Sequence, residues 1–142
     1  MDPSNYFAYG TNMDAEQMGC RCPDALCRGP AVLRGWRFCV NSRGVATVAP
    51  EAASEVWGIR WDVTSEDLAS LDYYEGVTYG TYTRRVVTIR DEAGSRLEAI
   101  VYVAAVDDPG TPRTDYMDVV IGAAQAAELP GVYLAELESW RS

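Results

Sequence analysis

The clearest strand pattern in the chain is Glu55-Val56-Trp57-Gly58-Ile59-Arg60-Trp61-Asp62. Its alternate positions form two sets, Trp57, Ile59 and Trp61 on one side and Val56, Gly58 and Arg60 on the other. A repeat of two places successive side chains on opposite faces of a strand, and aromatic bulk on one face predicts that this face is buried. We therefore expect a half-buried β-strand here.

Other elements extend from this strand in both directions. The predicted strands are residues 5–9, 31–33, 36–41, 45–48, 54–62, 82–90 and 97–104, and the predicted helices are 13–18, 64–74, 114–127 and 132–140. Asn12 or Asp14 is expected to cap the first helix and Thr64 or Ser65 the second. Residues 91–95 have a turn composition, which predicts that the last two strands pair as a hairpin.

The order of these elements predicts the fold class. Strands dominate the first two thirds of the chain and helices the last third, without the regular strand–helix alternation of a doubly wound sheet. The class is therefore α+β, with a mostly antiparallel sheet that can close into a small barrel and helices that flank it.

The composition limits the kind of protein. The chain has 142 residues, 48% hydrophobic and 23% charged, and we expect residues 1–142 to form a single domain. Twelve basic and twenty-one acidic residues give a net charge of −9, which repels phosphate backbones and anionic lipids, so we expect no nucleic-acid and no membrane partner. The N-terminus has no basic stretch followed by an apolar core, which favours a cytoplasmic protein.

The sequence contains no histidine, which excludes histidine-based triads and leaves the chemistry to carboxylates, tyrosines, cysteines, amines or backbone dipoles. Four cysteines, Cys20, Cys22, Cys27 and Cys39, follow a spacing that matches no common zinc pattern. We favour reduced thiols and expect no metal, with a zinc site as the alternative.

A strand that ends in a glycine turn is the first candidate site. Tyr6-Phe7-Ala8-Tyr9-Gly10-Thr11-Asn12 runs into a polar segment, so successive backbone N–H groups are expected at the turn. Such groups suit a carboxylate or a developing oxyanion. The alternative is an ordinary strand-to-helix turn, in which Gly10 supplies an unusual backbone angle and Asn12 caps the helix.

Glu75 is the second candidate. It follows Tyr73 and Tyr74 and precedes Gly76 and Val77. An apolar neighbourhood raises the pKa of a carboxyl group toward the range that is useful for proton transfer, which predicts a general acid/base. The alternative is an exposed glutamate at the end of a helix.

Six motifs that run in order along nearly the whole chain resemble the gamma-glutamylcyclotransferase (AIG2-like) family. They are Tyr6-Phe7-Ala8-Tyr9-Gly10-Thr11-Asn12-Met13, Gly44-Val45-Ala46-Thr47-Val48, Val56-Trp57-Gly58-Ile59, Leu71-Asp72-Tyr73-Tyr74-Glu75-Gly76-Val77, Gly80-Thr81-Tyr82 and Leu129-Pro130. A looser match, Arg21-Cys22-Pro23-Asp24-Ala25 with Gly29-Pro30-Ala31 and Gly35-Trp36, is similar to the bacterial branch that includes the butirosin-pathway enzyme.

The resemblance implies a small mixed barrel with a cavity at one end. It also implies an enzyme that cyclises a gamma-glutamyl group to 5-oxoproline and expels the attached amine, with no cofactor. By this resemblance Glu75 is the catalytic acid/base. The implied substrate-binding residues are Tyr6, Phe7, Ala8, Tyr9, Gly10, Thr11, Asn12, Tyr82 and Tyr116.

Three positions depart from the family pattern. Thr11 stands in place of serine, Ala123 in place of a helical glycine, and Glu128 in place of the glycine before Leu129-Pro130. Thr11 keeps the hydroxyl group. The other two changes affect cavity shape or helix placement, and so bear on the identity of the substrate more than on the reaction.

Several alternatives stay open. The small-molecule substrate is a gamma-glutamyl amino acid or a gamma-glutamyl amine. The same reaction could remove a protecting group in a natural-product pathway, with an aminoglycoside or another amine as the leaving group. A non-catalytic module that binds a small anion or a protein is the alternative from another class. A homodimer also stays open, because no segment carries an interface signature.

Overall fold

The sheet closes on itself. In the computed structural model, which describes residues 4–141, the strands are β1 (Ser4–Ala8), β2 (Leu26–Val40), β3 (Ala46–Val63), β4 (Tyr82–Asp91) and β5 (Arg96–Ala104). Their order around the closed barrel is β1-β3-β2-β4-β5. The pairings are antiparallel except that of β1 with β5, which is parallel where Tyr6 faces Ile100. The predicted α+β class with a mostly antiparallel barrel is confirmed, as is the β4–β5 hairpin.

Two long strands replace four predicted short ones. The sequence predicts separate strands at 31–33 and 36–41, but β2 is continuous through Gly35, whose φ is +85°. A register shift between Arg34 and Trp36 accommodates this residue while the pairing with β3 continues, as in a β-bulge. Residues 45–48 and 54–62 likewise belong to the single strand β3. The prediction of a break at Gly35 was wrong because a glycine in a bulge and a glycine in a turn give the same sequence signal.

The strand pattern around Gly58 is covered on both faces. Ile59 is buried on one side, as predicted, but Val56 is fully buried on the other. A side-chain carbon at Gly58 would overlap the carbonyl oxygen of Ala8 and crowd the ring of Phe7. The half-buried interpretation was therefore wrong, because the close approach of β1 removes the solvent-facing side.

Four α-helices accompany the barrel. They are α1 (Ala15–Arg21), α2 (Ser65–Tyr74), α3 (Tyr116–Ala126) and α4 (Gly131–Glu138). Asp14, rather than Asn12, caps α1 by accepting a hydrogen bond from the N–H of Gln17 at 3.0 Å. Thr64 and Asp67 form a capping box at the start of α2, as the sequence predicts.

The end of α3 shows what Glu128 does in place of glycine. The N–H of Glu128 donates to the carbonyl of Gln125 at 3.0 Å, and the N–H of Leu129 donates to that of Ala124 at 3.1 Å. This pair of bonds defines a Schellman motif, and Glu128 occupies its left-handed position with φ +57°. Glycine adopts this conformation without penalty, so a glutamate here strains the backbone.

One apolar core joins the barrel to the helices. Among its fully buried side chains are Phe7, Leu33, Ile89 and Val101 of the strands and Met18, Leu71, Ile121 and Leu137 of the helices. This packing fixes each helix against the sheet, so the loops between them have defined positions. Within residues 4–141 no helix has both the length and the apolar character needed to span a lipid bilayer.

Candidate active site

A cavity of about 400 Å³ lies at one end of the barrel. The C-terminal ends of β1 and β5 meet there with the N-terminal ends of β3 and β4, because β1 and β5 are parallel to each other and antiparallel to their other neighbours. Tyr82 and Ala46 begin two of these strands and line the cavity. The topology therefore brings together residues that lie far apart in the sequence.

Most of the predicted site residues line this cavity. Those that do are Tyr6, Tyr9, Gly10, Thr11, Asn12, Glu75, Tyr82 and Tyr116. Phe7 and Ala8 do not. Both are buried in the core, and Phe7 packs toward Gly58 on β3. Their place in the motif thus reflects the packing of β1 against its neighbours.

The turn after β1 presents backbone donors. Thr11–Met13 form one 3-10 turn, which closes with a hydrogen bond of 3.1 Å from the N–H of Met13 to the carbonyl of Gly10. The first N–H groups of such a turn have no partner within it. None of the turn hydrogen bonds within residues 4–141 is donated by Gly10, Thr11 or Asn12. These three residues also line the cavity.

The Asn12 side chain holds the turn in place. It is 3% exposed, and its Nδ2 donates to the Tyr6 hydroxyl at 2.9 Å. Its Oδ1 accepts from Arg21 at 2.9 Å and from Gln17 at 3.0 Å. Gln17 also donates to the Thr11 hydroxyl at 2.6 Å. Asn12, one of the two predicted caps for α1, instead stabilises the loop, because both ends of its amide are already paired.

Glu75 stands at the C-terminal end of α2, where its N–H donates to the carbonyl of Leu71 at 2.8 Å. The chain then reverses at Gly76, which has φ +65°, and a side-chain carbon there would lie 2.9 Å from the Thr81 hydroxyl. Burial raises the pKa of the Glu75 carboxyl, and the Arg21 guanidinium partly opposes that rise.

The residues that bury Glu75 are not the ones that the sequence predicts. The apolar flanks Tyr73 and Tyr74 are expected to cover Glu75, but Tyr73 is 81% exposed and Tyr74 53%. The carboxyl group is instead enclosed by the cavity wall, whose phenols sense its charge. Tyr6, Tyr9, Tyr82 and Tyr116 all have a pKa that is raised first by burial and further by Glu75.

The phenols of the cavity differ in whether their O–H already donates a hydrogen bond within the protein. Tyr9 donates to the carbonyl of Tyr102 at 2.6 Å, Tyr82 to the carbonyl of Ala46 at 2.7 Å, and Tyr102 to Asp72 at 2.7 Å. Tyr6 and Tyr116 only accept, from Asn12 and from the N–H of Ala46 respectively. A hydroxyl has one hydrogen to donate, so within the described residues the hydrogens of Tyr6 and Tyr116 are free.

Tyr116 is one of these two available donors. Its hydroxyl accepts from the N–H of Ala46 at 2.9 Å, while Tyr82 donates to the carbonyl of the same residue. The two tyrosines thus form hydrogen bonds with both backbone polar groups of Ala46 at the start of β3. Burial raises the pKa of Tyr116 to about 12, so the hydroxyl stays protonated at neutral pH and can donate.

Sequence reasoning missed the positive side chains of the cavity. Arg21, Arg43 and Arg113 all line it. Arg113 donates from Nε to the carbonyl of Arg43 at 3.0 Å, and its N–H donates to the carbonyl of Gly44 at the same distance. Arg21 falls within a family-like segment, but Arg43 and Arg113 lie in loops that show no periodic pattern. An acidic protein therefore has a cavity lined by three arginines and one glutamate.

Asp72 ties α2 to the barrel beside the cavity. It pairs with Arg84 of β4 through two contacts, at 2.7 and 2.5 Å, and accepts from the Tyr102 hydroxyl of β5. Burial acts to raise the pKa of Asp72, but these hydrogen bonds outweigh burial and leave it lowered. The carboxylate therefore stays ionised and anchors the helix that ends at Glu75.

The four cysteines lie outside this chemistry. All are free thiols, with Cys20 and Cys27 exposed and Cys22 and Cys39 buried. Burial raises the pKa of Cys22 to about 11 and also raises that of Cys39. Within residues 4–141, no group of three or more cysteine, aspartate or glutamate side chains is arranged to hold a metal ion.

The sequence and the fold match known proteins. The sequence model of the AIG2-like family matches residues 55–137. Gamma-glutamylcyclotransferases from Bos taurus and Homo sapiens are 29% and 28% identical to the chain over 144 residues, which cover 94% of this chain and 77% of each relative. A solved structure of a gamma-glutamyl cyclotransferase superposes with a TM-score of 0.92 at 27% identity, over 99% of this chain and 89% of that one.

The family model spans more than half of the chain, and the structural match extends over nearly all of it. Together they confirm the resemblance inferred from the six sequence motifs and agree with the closed barrel. The chain therefore belongs to the AIG2-like family, and in sequence and fold it is a relative of the gamma-glutamylcyclotransferases.

Proposed function

We propose that this protein is a gamma-glutamyl cyclotransferase. It converts a gamma-glutamyl amino acid or a gamma-glutamyl amine to 5-oxoproline and releases the free amine. The observation that carries the proposal is the Glu75 carboxyl, whose pKa is raised by burial and which shares one cavity with the N–H donors of residues 10–12. A proton acceptor and an oxyanion site are the two elements that this reaction requires.

Glu75 starts the reaction as a general base. The substrate's alpha-ammonium group cannot attack until it loses a proton, and the Glu75 carboxylate accepts it. The freed nitrogen then bonds to the gamma-carbonyl carbon within the same molecule. Because ring closure is intramolecular, a cavity that holds the glutamyl chain folded supplies much of the rate through orientation.

The turn after β1 receives the charge that develops on the carbonyl oxygen. The N–H groups of Gly10, Thr11 and Asn12 are the donors proposed for this oxyanion, with the Tyr116 hydroxyl as a further donor. Loss of one such donor typically lowers kcat by about a hundredfold to a thousandfold. The fixed position of the Asn12 side chain supports this role, since preorganised donors need no rearrangement during the reaction.

Glu75 ends the reaction as a general acid. The tetrahedral intermediate collapses as the bond between the former gamma-carbonyl carbon and the leaving nitrogen breaks, and Glu75 passes its proton to that nitrogen. The second proton lost by the attacking nitrogen leaves with the amine, which departs as an ammonium ion. The carboxylate is thereby restored.

The experiment that tests the proposal measures 5-oxoproline release from a panel of gamma-glutamyl amino acids and gamma-glutamyl amines. Wild type is compared with Glu75→Gln, which preserves shape but cannot carry a proton. Release by the wild type alone is expected, and the panel ranks the leaving groups. Full activity of Glu75→Gln would overturn the assigned role. If the wild type releases no 5-oxoproline from any substrate, the enzymatic proposal fails, and 5-oxoproline binding then tests for a binding module.

A further inference from the structure

We infer that Arg21 is a positioning residue that couples the turn after β1 to the Glu75 carboxyl. The inference rests on the proposed function, because it gives Arg21 a part in the chemistry of the same site. Arg21 is the last residue of α1 and lines the cavity.

The Arg21 guanidinium contacts both halves of the site. One edge donates to Asn12 Oδ1 at 2.9 Å, which holds the turn that carries the proposed oxyanion donors. Its central carbon lies 4.6 Å from the centre of the Tyr74 ring, and Tyr74 directly precedes Glu75 in the chain. One side chain thus sets the separation between the proposed base and the proposed oxyanion site.

An arginine suits both contacts better than a lysine does. The guanidinium is planar, so its edge can donate while its face stacks on an aromatic ring. A lysine ammonium carries the same charge but has no face to stack. The Asn12 amide is also paired with Gln17 and with the Tyr6 hydroxyl, so the Arg21 contact completes a closed set of hydrogen bonds around a buried side chain.

The charges around Glu75 give Arg21 a second effect. The groups that sense Glu75 from the surrounding elements are the phenols of Tyr6, Tyr9, Tyr82 and Tyr116, and the other cations that line the cavity are Arg43 and Arg113. The four phenols are uncharged at neutral pH, because the ordinary tyrosine pKa is about 10 and burial raises theirs further. Burial raises the pKa of Glu75, and Arg21 is the cation that lowers it. Its charge therefore favours the ionised base.

The test separates charge from geometry with two variants and one control. Arg21→Gln removes the charge, Arg21→Lys keeps the charge without the stacked plane, and Arg85→Gln removes an exposed charge of β4 that lies outside the cavity. The Glu75 carboxyl is titrated by carbon-13 NMR in each protein, and Glu75→Gln assigns its signal. The pKa of Glu75 is expected to rise in Arg21→Gln and to stay at the wild-type value in Arg21→Lys and Arg85→Gln.

Kinetics give the second readout. The acidic limb of the kcat/KM profile is expected to move to higher pH in Arg21→Gln alone. In both Arg21 variants kcat at its pH optimum is expected to fall by about a hundredfold, the cost of misplacing reacting groups by about 1 Å. An unchanged Glu75 pKa in Arg21→Gln, or full kcat in Arg21→Lys, overturns the inference. Wild type without turnover overturns the proposed function instead, and the NMR titration still decides whether Arg21 and Glu75 are coupled.

Discussion

Two cavities of this barrel each contain a glutamate whose pKa is raised, yet their surroundings differ. The first holds Glu75 among phenols and arginines. The second, of about 340 Å³, holds Glu136 beside Glu55 and Tyr133, and no basic residue of the described part of the chain lines it. Burial is the largest cause of the raised pKa of both glutamates. For Glu136, the neighbouring carboxylates Glu51 and Glu55 raise the pKa further.

The comparison shows that a raised pKa alone does not identify a catalytic carboxyl group. Glu75 has a cation to favour its ionised form and donors nearby that could receive negative charge, whereas the charges that act on Glu136 within residues 4–141 are carboxylates. Perturbed carboxyls occur in structural clusters as well as in active sites. What distinguishes the first cavity is the set of complementary groups around its glutamate.

The largest expected difference between the two cavities is in turnover. Glu75→Gln should lower kcat by about a hundredfold to ten-thousandfold, the range that general acid–base groups supply. Glu136→Gln removes a carboxyl of similar chemistry from the other cavity and should leave kcat unchanged. Steady-state 5-oxoproline release measures both, with circular dichroism to confirm folding. Equal losses of kcat in Glu75→Gln and Glu136→Gln would contradict the proposed difference between the two cavities.

A second difference concerns the attraction of an anionic substrate. A gamma-glutamyl group carries a carboxylate, and Arg113 at the first cavity can bind such a group. Arg113→Gln should raise KM by about tenfold to a hundredfold, since a hydrogen bond to a charged group contributes about 1.5–3 kcal/mol. The increase should shrink as salt is added, because screening weakens the attraction in the wild type. A KM that does not change would show that Arg113 does not contact the substrate.

The half-buried Tyr116 and the buried Tyr133 extend the comparison to stability. The Tyr116 hydroxyl pairs with the N–H of Ala46, whereas the Tyr133 hydroxyl, in the second cavity, has no partner in hydrogen-bond geometry within the described residues. Tyr116→Phe should lower the free energy of unfolding by about 1–3 kcal/mol, because it leaves a buried N–H unpaired. Tyr133→Phe should be neutral or stabilising. Urea unfolding of both variants measures the difference, and a large loss in Tyr133→Phe would contradict it.

The smallest effect is on the pH dependence of stability. The pKa of Glu75 in the folded protein lies above the ordinary value of 4.5, so the unfolded chain loses this proton first as the pH rises. The native state therefore loses stability as the pH rises from that value through the folded-state pKa. Glu75→Gln removes this loss, so its free energy of unfolding should exceed that of the wild type at pH 7 and approach it near pH 4. The exposed Glu92→Gln is the charge-matched control, and the same trend in both variants would contradict the assignment of the effect to Glu75.

Local patterns in the sequence were sufficient for much of the fold. The capping box at Thr64, the hairpin after Tyr82 and the helix around Val120 depend on contacts between near neighbours, and the structure shows all three. The continuity of β2 through Gly35 could not be predicted, because pairing with a distant strand decides whether a glycine bulges or turns.

The candidate site likewise has residues that the sequence identifies and residues that it does not. Glu75 and the turn at Gly10 are identifiable because they form compact motifs. The side chains of Arg43, Tyr102 and Arg113 come from separate loops and strands, and only the closed barrel brings them to one cavity. Phe7 and Ala8 have the opposite explanation: both belong to the motif, but both are buried in the core, where Phe7 packs toward Gly58 of β3.

The parallel contact between Tyr6 and Ile100 closes the barrel at β1, and it places a cavity tyrosine on that seam. An open seam would expose unpaired strand edges, which can pair with other chains, and would also withdraw Tyr6 and its partner Asn12 from the cavity. Opening of this seam on heating would then be the first step of both inactivation and aggregation. Substitutions that tighten the seam should therefore extend the working lifetime of the protein and limit self-association together.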